Sequence, residues 1–207
     1  MKLAVVDYGI GNLRSAEKAF EAVGVDAVLT GDHATLTAAD AVVLPGVGAF
    51  GRCVEELDAR GLRSVLGSII DGGVPFLGIC VGFQLLYEGS AESEGARGLG
   101  VFSGTVTELS PSVKVPQMQW NELERTETET SLLELGGHAP WVYFVHSFAP
   151  PVGSETVATC SYGGLVAAMA QRGHVVGMQF HPEKSGPVGL ALLKNFVDAA
   201  QGAVPWS

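Results

Sequence analysis

The chain has 207 residues, 47% hydrophobic and 16% charged, with a formal net charge of −10. That size and composition predict a single domain over residues 1–207 with a substantial core, and they exclude a disordered chain. The acidity, with no Lys/Arg cluster, argues against nucleic acid or an anionic membrane as partner, and no apolar run is long enough to span a bilayer. In chain order, "LAVVDY" (3–8) reads as a buried strand. A helix follows over "NLRSAEKAFEAVG", with Asn12 as N-cap, Leu13, Ala16, Phe20 and Val23 at helical spacing, and Gly24 as its stop. "DAVLT" (26–30) and "AVVLPG" (41–46) are further strands, and residues 50–71 carry a helical pattern through Val54, Leu57, Val65, Leu66, Ile69 and Ile70. "VPFLGI" is the fourth strand, with a helix from about Val81. Apolar strands alternating with helices predict a mostly parallel sheet covered on both faces.

The second half is richer in strands: "GTVTEL", "WVYFVHSF", "TVATCSY", "LVAAMAQ" and "VVGMQFH". Short turns between several of them predict some antiparallel pairs. The polar run "NELERTETETS" reads as a solvated loop or hairpin tip, and a helix from Val188 to about Gln201 closes the chain. Cys53, Cys80 and Cys160 are too few and too widely spaced for a disulfide framework or a zinc site. They fit a reducing, cytoplasmic setting, and the short start interrupted by Asp7 does not read as a signal peptide. Neither a metal nor a cofactor is expected.

One cysteine stands apart. In "GICVG", Cys80 lies between Gly78 and Gly82 where a strand meets a helix, which is the form of a nucleophile elbow. Side chains flanking so sharp a turn collide, hence the glycines. The turn projects the thiol from the carboxyl end of the sheet at a helix N-terminus, and the N–H of Val81 is placed for an oxyanion hole. A buried structural cysteine is the competing reading, and it is the one adopted for Cys53 and Cys160.

A nucleophilic cysteine needs a base. "MQFHPEKSG" offers His181 with Glu183 two residues on, on the same side of an extended chain, and Pro182 favours that conformation. Glu183 can then orient the ring as the third member of a triad. His146 in "YFVHSF" is the rival base, but no acid stands near it in sequence. In "LPGVGAFG", Gly46, Gly48 and Gly51 would let main-chain N–H groups approach a carbonyl or oxyanion, and their spacing is neither a P-loop nor a dinucleotide fingerprint.

Together, G-I-C-V-G-F-Q, P-G-V-G and H-P-E resemble the class I glutamine amidotransferases. "VDYGIGNLRSAEKAF", "PGVGAFGRC", "YFVHSF" and "QFHPEKSG" narrow the likeness to the glutaminase subunits of imidazole glycerol phosphate synthases, over nearly the whole chain. The resemblance implies a flavodoxin-like α/β fold. It implies glutamine hydrolysis by Cys80, His181 and Glu183, with ammonia passed to a separate (β/α)₈ cyclase subunit in a 1:1 heterodimer. By the same resemblance Val81 with Val47 or Gly48 forms the oxyanion hole, in part after the loop rearranges. Gly46, Gly48, Gln84, Tyr143, His146 and Ser147 would hold glutamine. Asn12, Gln117, Met118, Trp120, Asn121 and Lys184 would lie toward the cyclase. The chain departs from the family pattern at "VPQMQWN", where Gln117 stands for a histidine and Gln119 for a glycine, and at Phe83, where methionine is usual. Another class I amidotransferase, a γ-glutamyl hydrolase and a non-catalytic partner-binding scaffold are the alternatives.

Overall fold

The computed structural model describes residues 1–206. The first half runs β1 (Leu3–Val6), α1 (Leu13–Ala22), β2 (Ala27–Thr30), α2 (His33–Thr37), β3 (Ala41–Gly46), α3 (Phe50–Ala59), α4 (Leu62–Asp71), β4 (Phe76–Cys80) and α5 (Val81–Gln84). The second half runs β5 (Gly89–Ser90), β6 (Thr105–Glu108), β7 (Gln117–Glu122), β8 (Glu124–Arg125), β9 (Trp141–His146), β10 (Phe148–Ala149), β11 (Thr156–Ser161), β12 (Leu165–Arg172), β13 (Val175–Met178) and α6 (Gly186–Ala200).

Eight strands form the central sheet in the order β2-β1-β3-β4-β13-β12-β11-β8. Strands β2 to β13 in that order are parallel, and the last three join antiparallel. Strands β1, β3, β4 and β13 are buried at every residue, as continuous apolar runs covered by helices must be. Helix α1 packs with α6, while α2 and α3 both pack on α4. Helix α6 buries Val188, Leu192, Leu193, Phe196 and Val197, the stripe expected of a helix on a sheet. A small sheet (β10-β6-β5) and an antiparallel ribbon (β7-β9) flank the site.

Four expectations need correction. The helical pattern over 50–71 is two helices, because Gly61 takes φ 65° between them. The helix after Cys80 is one turn of four residues, too short for much of a dipole at the thiol. Asn12 makes no side-chain cap to α1. The polar run after Asn121 is not all loop: Glu124 and Arg125 pair with Thr159 and Ala158 and add the outermost strand of the sheet. The sequence reading also passed over β7, whose polar residues hide its pairing with β9.

Candidate active site

The parallel strands β3, β4 and β13 are neighbours, so their carboxyl ends bring three loops together. Gly46 pairs with Cys80, and Ile79 with Met178, three residues before His181. Cys80 takes φ 56° and ψ −113°, and it is the one non-glycine with positive φ among the described residues. Such strain persists only where packing holds it. A Cβ on Gly78 would lie 2.6 Å from the Gly82 carbonyl oxygen, and one on Gly82 would lie 1.8 Å from that of Leu44. A Cβ on Gly46 would lie 2.6 Å from the Gly82 nitrogen. The elbow therefore packs backbone to backbone against the end of β3. Behind it, the fully buried Phe83 fills the space left by Gly177, where any Cβ would enter its ring.

His181 is 2% exposed, and its main-chain N–H donates to the Tyr143 carbonyl (2.9 Å). The Ser185 hydroxyl donates to the His181 carbonyl (2.7 Å) and accepts from the Tyr143 N–H (3.0 Å), which pins the turn. His181 Nδ1 lies 2.8 Å from Glu183 Oε1, and both side chains are buried. Asn12 Nδ2 donates to the same Glu183 oxygen at 3.4 Å. Burial alone would lower the pKa of His181, but the Cys80 sulfur and the Glu183 carboxylate on either side outweigh it and raise it to about 9. With Nδ1 on Glu183, Nε2 is the ring nitrogen left to face the pocket that Cys80 and His181 both line.

That shift predicts a pH-dependent stability. The folded pKa is raised from 6.5 to about 9, so the pairing stabilises fully below about 6.5 and its contribution is lost as pH rises through about 9. Thermal melts of the wild type and His181→Ala are expected to differ most at pH 6. The gap should narrow by up to about 3 kcal/mol toward pH 10. A gap constant with pH would mean that the ring is not held as a cation.

Val47, Gly48, Cys80, Val81, Gln84, His146, Ser147, His181 and Lys184 all line one pocket of about 280 Å³. Glu183 stands behind His181. Gly46 does not line the pocket; it packs under the elbow, where only a glycine fits. Nor does Tyr143: its ring stands edge-on to Trp120, and its carbonyl holds His181. Gln84 Nε2 donates to the Phe148 carbonyl (2.8 Å) and to Gln179 Oε1 (3.1 Å), leaving its own Oε1 for a ligand. In the glycine loop, Phe50 N–H donates to Glu92 (2.7 Å) and Gly51 N–H to Ser93 (3.0 Å). The N–H groups of Val47, Gly48 and Ala49 are the loop donors not taken in this way. His146 is 6% exposed, its Nδ1 and Nε2 lie 2.9 Å from the Phe148 carbonyl oxygen and 3.0 Å from Gln117 Oε1, and burial lowers its pKa to about 4.

On the expected docking side, Met118 and Trp120 are 61% and 48% exposed, and Lys184 is exposed at the pocket mouth. Asn121 is half-buried and donates to the Ser161 carbonyl (3.0 Å), while Asn12 is turned toward Glu183. Gln117 is fully buried and so cannot touch a partner; alternation along β7 turns it inward. Sequence reasoning missed Gln179. It is fully buried, and its Nε2 donates to Cys80 Sγ at 3.9 Å. A glutamine closing the apolar run "VVGM", two residues before His181, was the available signal.

A parallel sheet ending in a strained cysteine elbow, with a buried histidine and glutamate beside it, defines a class of protein, and the comparisons agree with it. The sequence model of the family "Glutamine amidotransferase class-I" matches residues 4–200, and the chain belongs to that family. Within it, the chain is 46% identical to imidazole glycerol phosphate synthase subunit HisH of Salinibacter ruber, over 93% of this chain and 92% of that one. It is 48% identical to the subunit of the same name from Methanothermobacter thermautotrophicus, over 95% and 98% of the two chains. Among solved structures, a glutamine amidotransferase superposes with a TM-score of 0.73 at 20% identity, covering 96% of this chain and 98% of the other. PurLQS from Thermotoga maritima gives 0.73 at 19% identity, covering 95% and 97%. At such identities the structures speak for the shared fold.

Proposed function

We propose that this chain is the glutaminase subunit of an imidazole glycerol phosphate synthase, with Cys80, His181 and Glu183 as its catalytic triad. The observation that carries the triad is the strained Cys80 beside a buried His181 that is itself held by Glu183 at 2.8 Å. The HisH relatives support the assignment to this synthase.

The Cys80 sulfur, its proton taken by His181, attacks the side-chain amide carbon of glutamine. The tetrahedral oxyanion is held by the N–H of Val81 and by the Val47 or Gly48 N–H of the glycine loop. The His181 imidazolium gives its proton to the departing nitrogen, and ammonia leaves a glutamyl thioester on Cys80. Neutral His181 then takes a proton from water, which attacks the thioester. Glutamate leaves, and the proton returns to the sulfur. Gln84 Oε1 and Ser147 accept from the α-ammonium of glutamine. Because the imidazolium is the proton donor, kcat/KM is expected to fall as pH rises through about 9.

Ammonia passes to a separate (β/α)₈ cyclase, docked as a 1:1 heterodimer on the face that carries Met118, Trp120 and Lys184. There it serves to make imidazole glycerol phosphate and an aminoimidazole carboxamide ribotide. The test is glutamine hydrolysis by the chain alone, with the cyclase, and with the cyclase bound to its nucleotide ligand. Low activity alone that rises with the liganded cyclase is expected. High activity alone, unchanged by the cyclase, would instead indicate a stand-alone γ-glutamyl hydrolase.

A further inference from the structure

Gln179 directly follows β13, and its main-chain N–H donates to the Ala168 carbonyl (2.8 Å), which ties it to β12. Its side chain is fully buried. A buried amide is costly unless both of its ends are paired. The oxygen end accepts from Gln84 Nε2 at 3.1 Å. The NH₂ end has one partner among the described residues, the sulfur of Cys80 at 3.9 Å. A mechanism run by Cys80, His181 and Glu183 alone leaves this amide without a task.

The partners fix which way the amide points. Gln84 Nε2 donates to the Phe148 carbonyl (2.8 Å), and a carbonyl only accepts, so that end of Gln84 is its NH₂. An NH₂ only donates, so the end of Gln179 that meets it is the oxygen. The NH₂ of Gln179 is thereby turned to the sulfur. On another side, Cys80 Sγ lies 3.9 Å from the Val145 carbonyl oxygen, which can take an S–H but offers nothing to a thiolate. Both contacts are long and weak for a neutral thiol. Removing the proton changes them in opposite senses. The Val145 contact loses its attraction, while the Gln179 contact becomes a hydrogen bond to an anion, the shorter and stronger kind. Gln84 holds the amide in place beforehand, so little has to reorganise when the charge appears. The other titratable groups around the sulfur are His181, His146, Glu92 and Lys184 at the pocket, with Tyr8 and Cys53 beneath the elbow. None of them is hydrogen-bonded to the Gln179 side chain among the described residues.

We propose that Gln179 stabilises the Cys80 thiolate, its NH₂ group serving as the donor to the sulfur once the proton has passed to His181. The use of that thiolate on glutamine rests on the function proposed above; the contact with the sulfur does not. Gln84 then has two duties. Its NH₂ end steadies Gln179, and its oxygen is left for a ligand in the pocket, so one side chain joins the substrate site to the group that supports the nucleophile.

The experiment is alkylation of Cys80 by iodoacetamide at pH 7, followed by peptide mass spectrometry, with kinetics in the presence of the cyclase. Gln179→Met keeps the length and volume of the side chain but has no donor, and Gln84 keeps its bond to Phe148. Cys80 in this variant is expected to react about tenfold more slowly than in the wild type, and kcat for glutamine to fall about tenfold with KM within about twofold. Alkylation at the wild-type rate would overturn the proposal. So would a raised KM with kcat unchanged, which is what a residue acting only through Gln84 would give. Side-chain NMR of the wild type tests the contact with no substitution at Gln179, and so stands even if Gln179→Met does not fold. One Nε2 proton of Gln179 should move downfield as the sulfur loses its proton, and Cys80→Ala should lack that movement. A resonance that stays in place, or that moves equally in Cys80→Ala, would contradict the role. Absence of glutamine turnover by the wild type with the cyclase would count against the proposed function; alkylation and NMR use no glutamine and would still decide the role of Gln179.

Discussion

Cys80→Ala is expected to lower glutamine hydrolysis by about 10⁴-fold or more, in the presence of the cyclase, while the chain stays folded. Loss of a covalent nucleophile in a triad has effects of this order, because the remaining groups have no bond to form and act only through binding and the oxyanion donors. The elbow itself should persist. Alanine keeps the Cβ and the positive φ of Cys80, and the glycine contacts that impose the turn do not involve the sulfur. The strain offers an internal control: Cys80→Gly removes the cost of a left-handed side chain and is expected to be more stable than Cys80→Ala by about 1 kcal/mol. Glutamine turnover by Cys80→Ala near the wild-type rate would remove the thiol from the mechanism. Equal melting of the two variants would mean that the turn is unstrained.

Gly82→Ala should have the largest effect on the fold of any single methyl added near the site. The new carbon would lie 1.8 Å from the Leu44 carbonyl oxygen, and a backbone atom of a central strand cannot swing away as a side-chain tip can. Either β3 or the elbow must move. We expect a loss of about 3 kcal/mol in denaturant unfolding, and a fall of about 10²-fold in kcat/KM as Cys80 shifts relative to His181. Gly67→Ala is the matched control. That glycine lies within α4, a Cβ there meets nothing within 4 Å, and alanine favours helix. It should be neutral or stabilising by up to about 1 kcal/mol. If Gly82→Ala were as harmless as Gly67→Ala, the close backbone packing would not be what shapes the elbow.

Where the sequence was legible, one physical rule sufficed. Buried parallel strands appear as unbroken apolar runs, so β1, β3, β4 and β13 could be read directly, and with them the sheet edge where Cys80 and His181 meet. The collision that demands Gly78 and Gly82 is local, so the elbow was legible too. What failed was long-range. The one-turn length of α5 is invisible in the apolar residues that continue past it, because Leu85 and Leu86 are buried without being helical. Strand β7 was hidden because polar Gln117 faces inward and apolar Met118 and Trp120 face out, the reverse of the usual pattern. The departure from the family pattern at Gln117 therefore looked like a change of docking surface. It is a change inside the pocket wall, legible only once His146 is seen opposite it. Asn12 followed the same course: a plausible cap by sequence, it bonds a carboxylate 171 positions away.

In the proposed mechanism Cys80 carries the acyl group of glutamine between two half-reactions. Intact-mass and peptide mass spectrometry, after acid quench of the enzyme turning over glutamine with the liganded cyclase, tests it most directly. An adduct equal to glutamine less ammonia is expected on the peptide that contains Cys80, absent from Cys80→Ala and discharged by water on further incubation. Turnover with no adduct on any cysteine, or an adduct on Cys53 or Cys160, would contradict it.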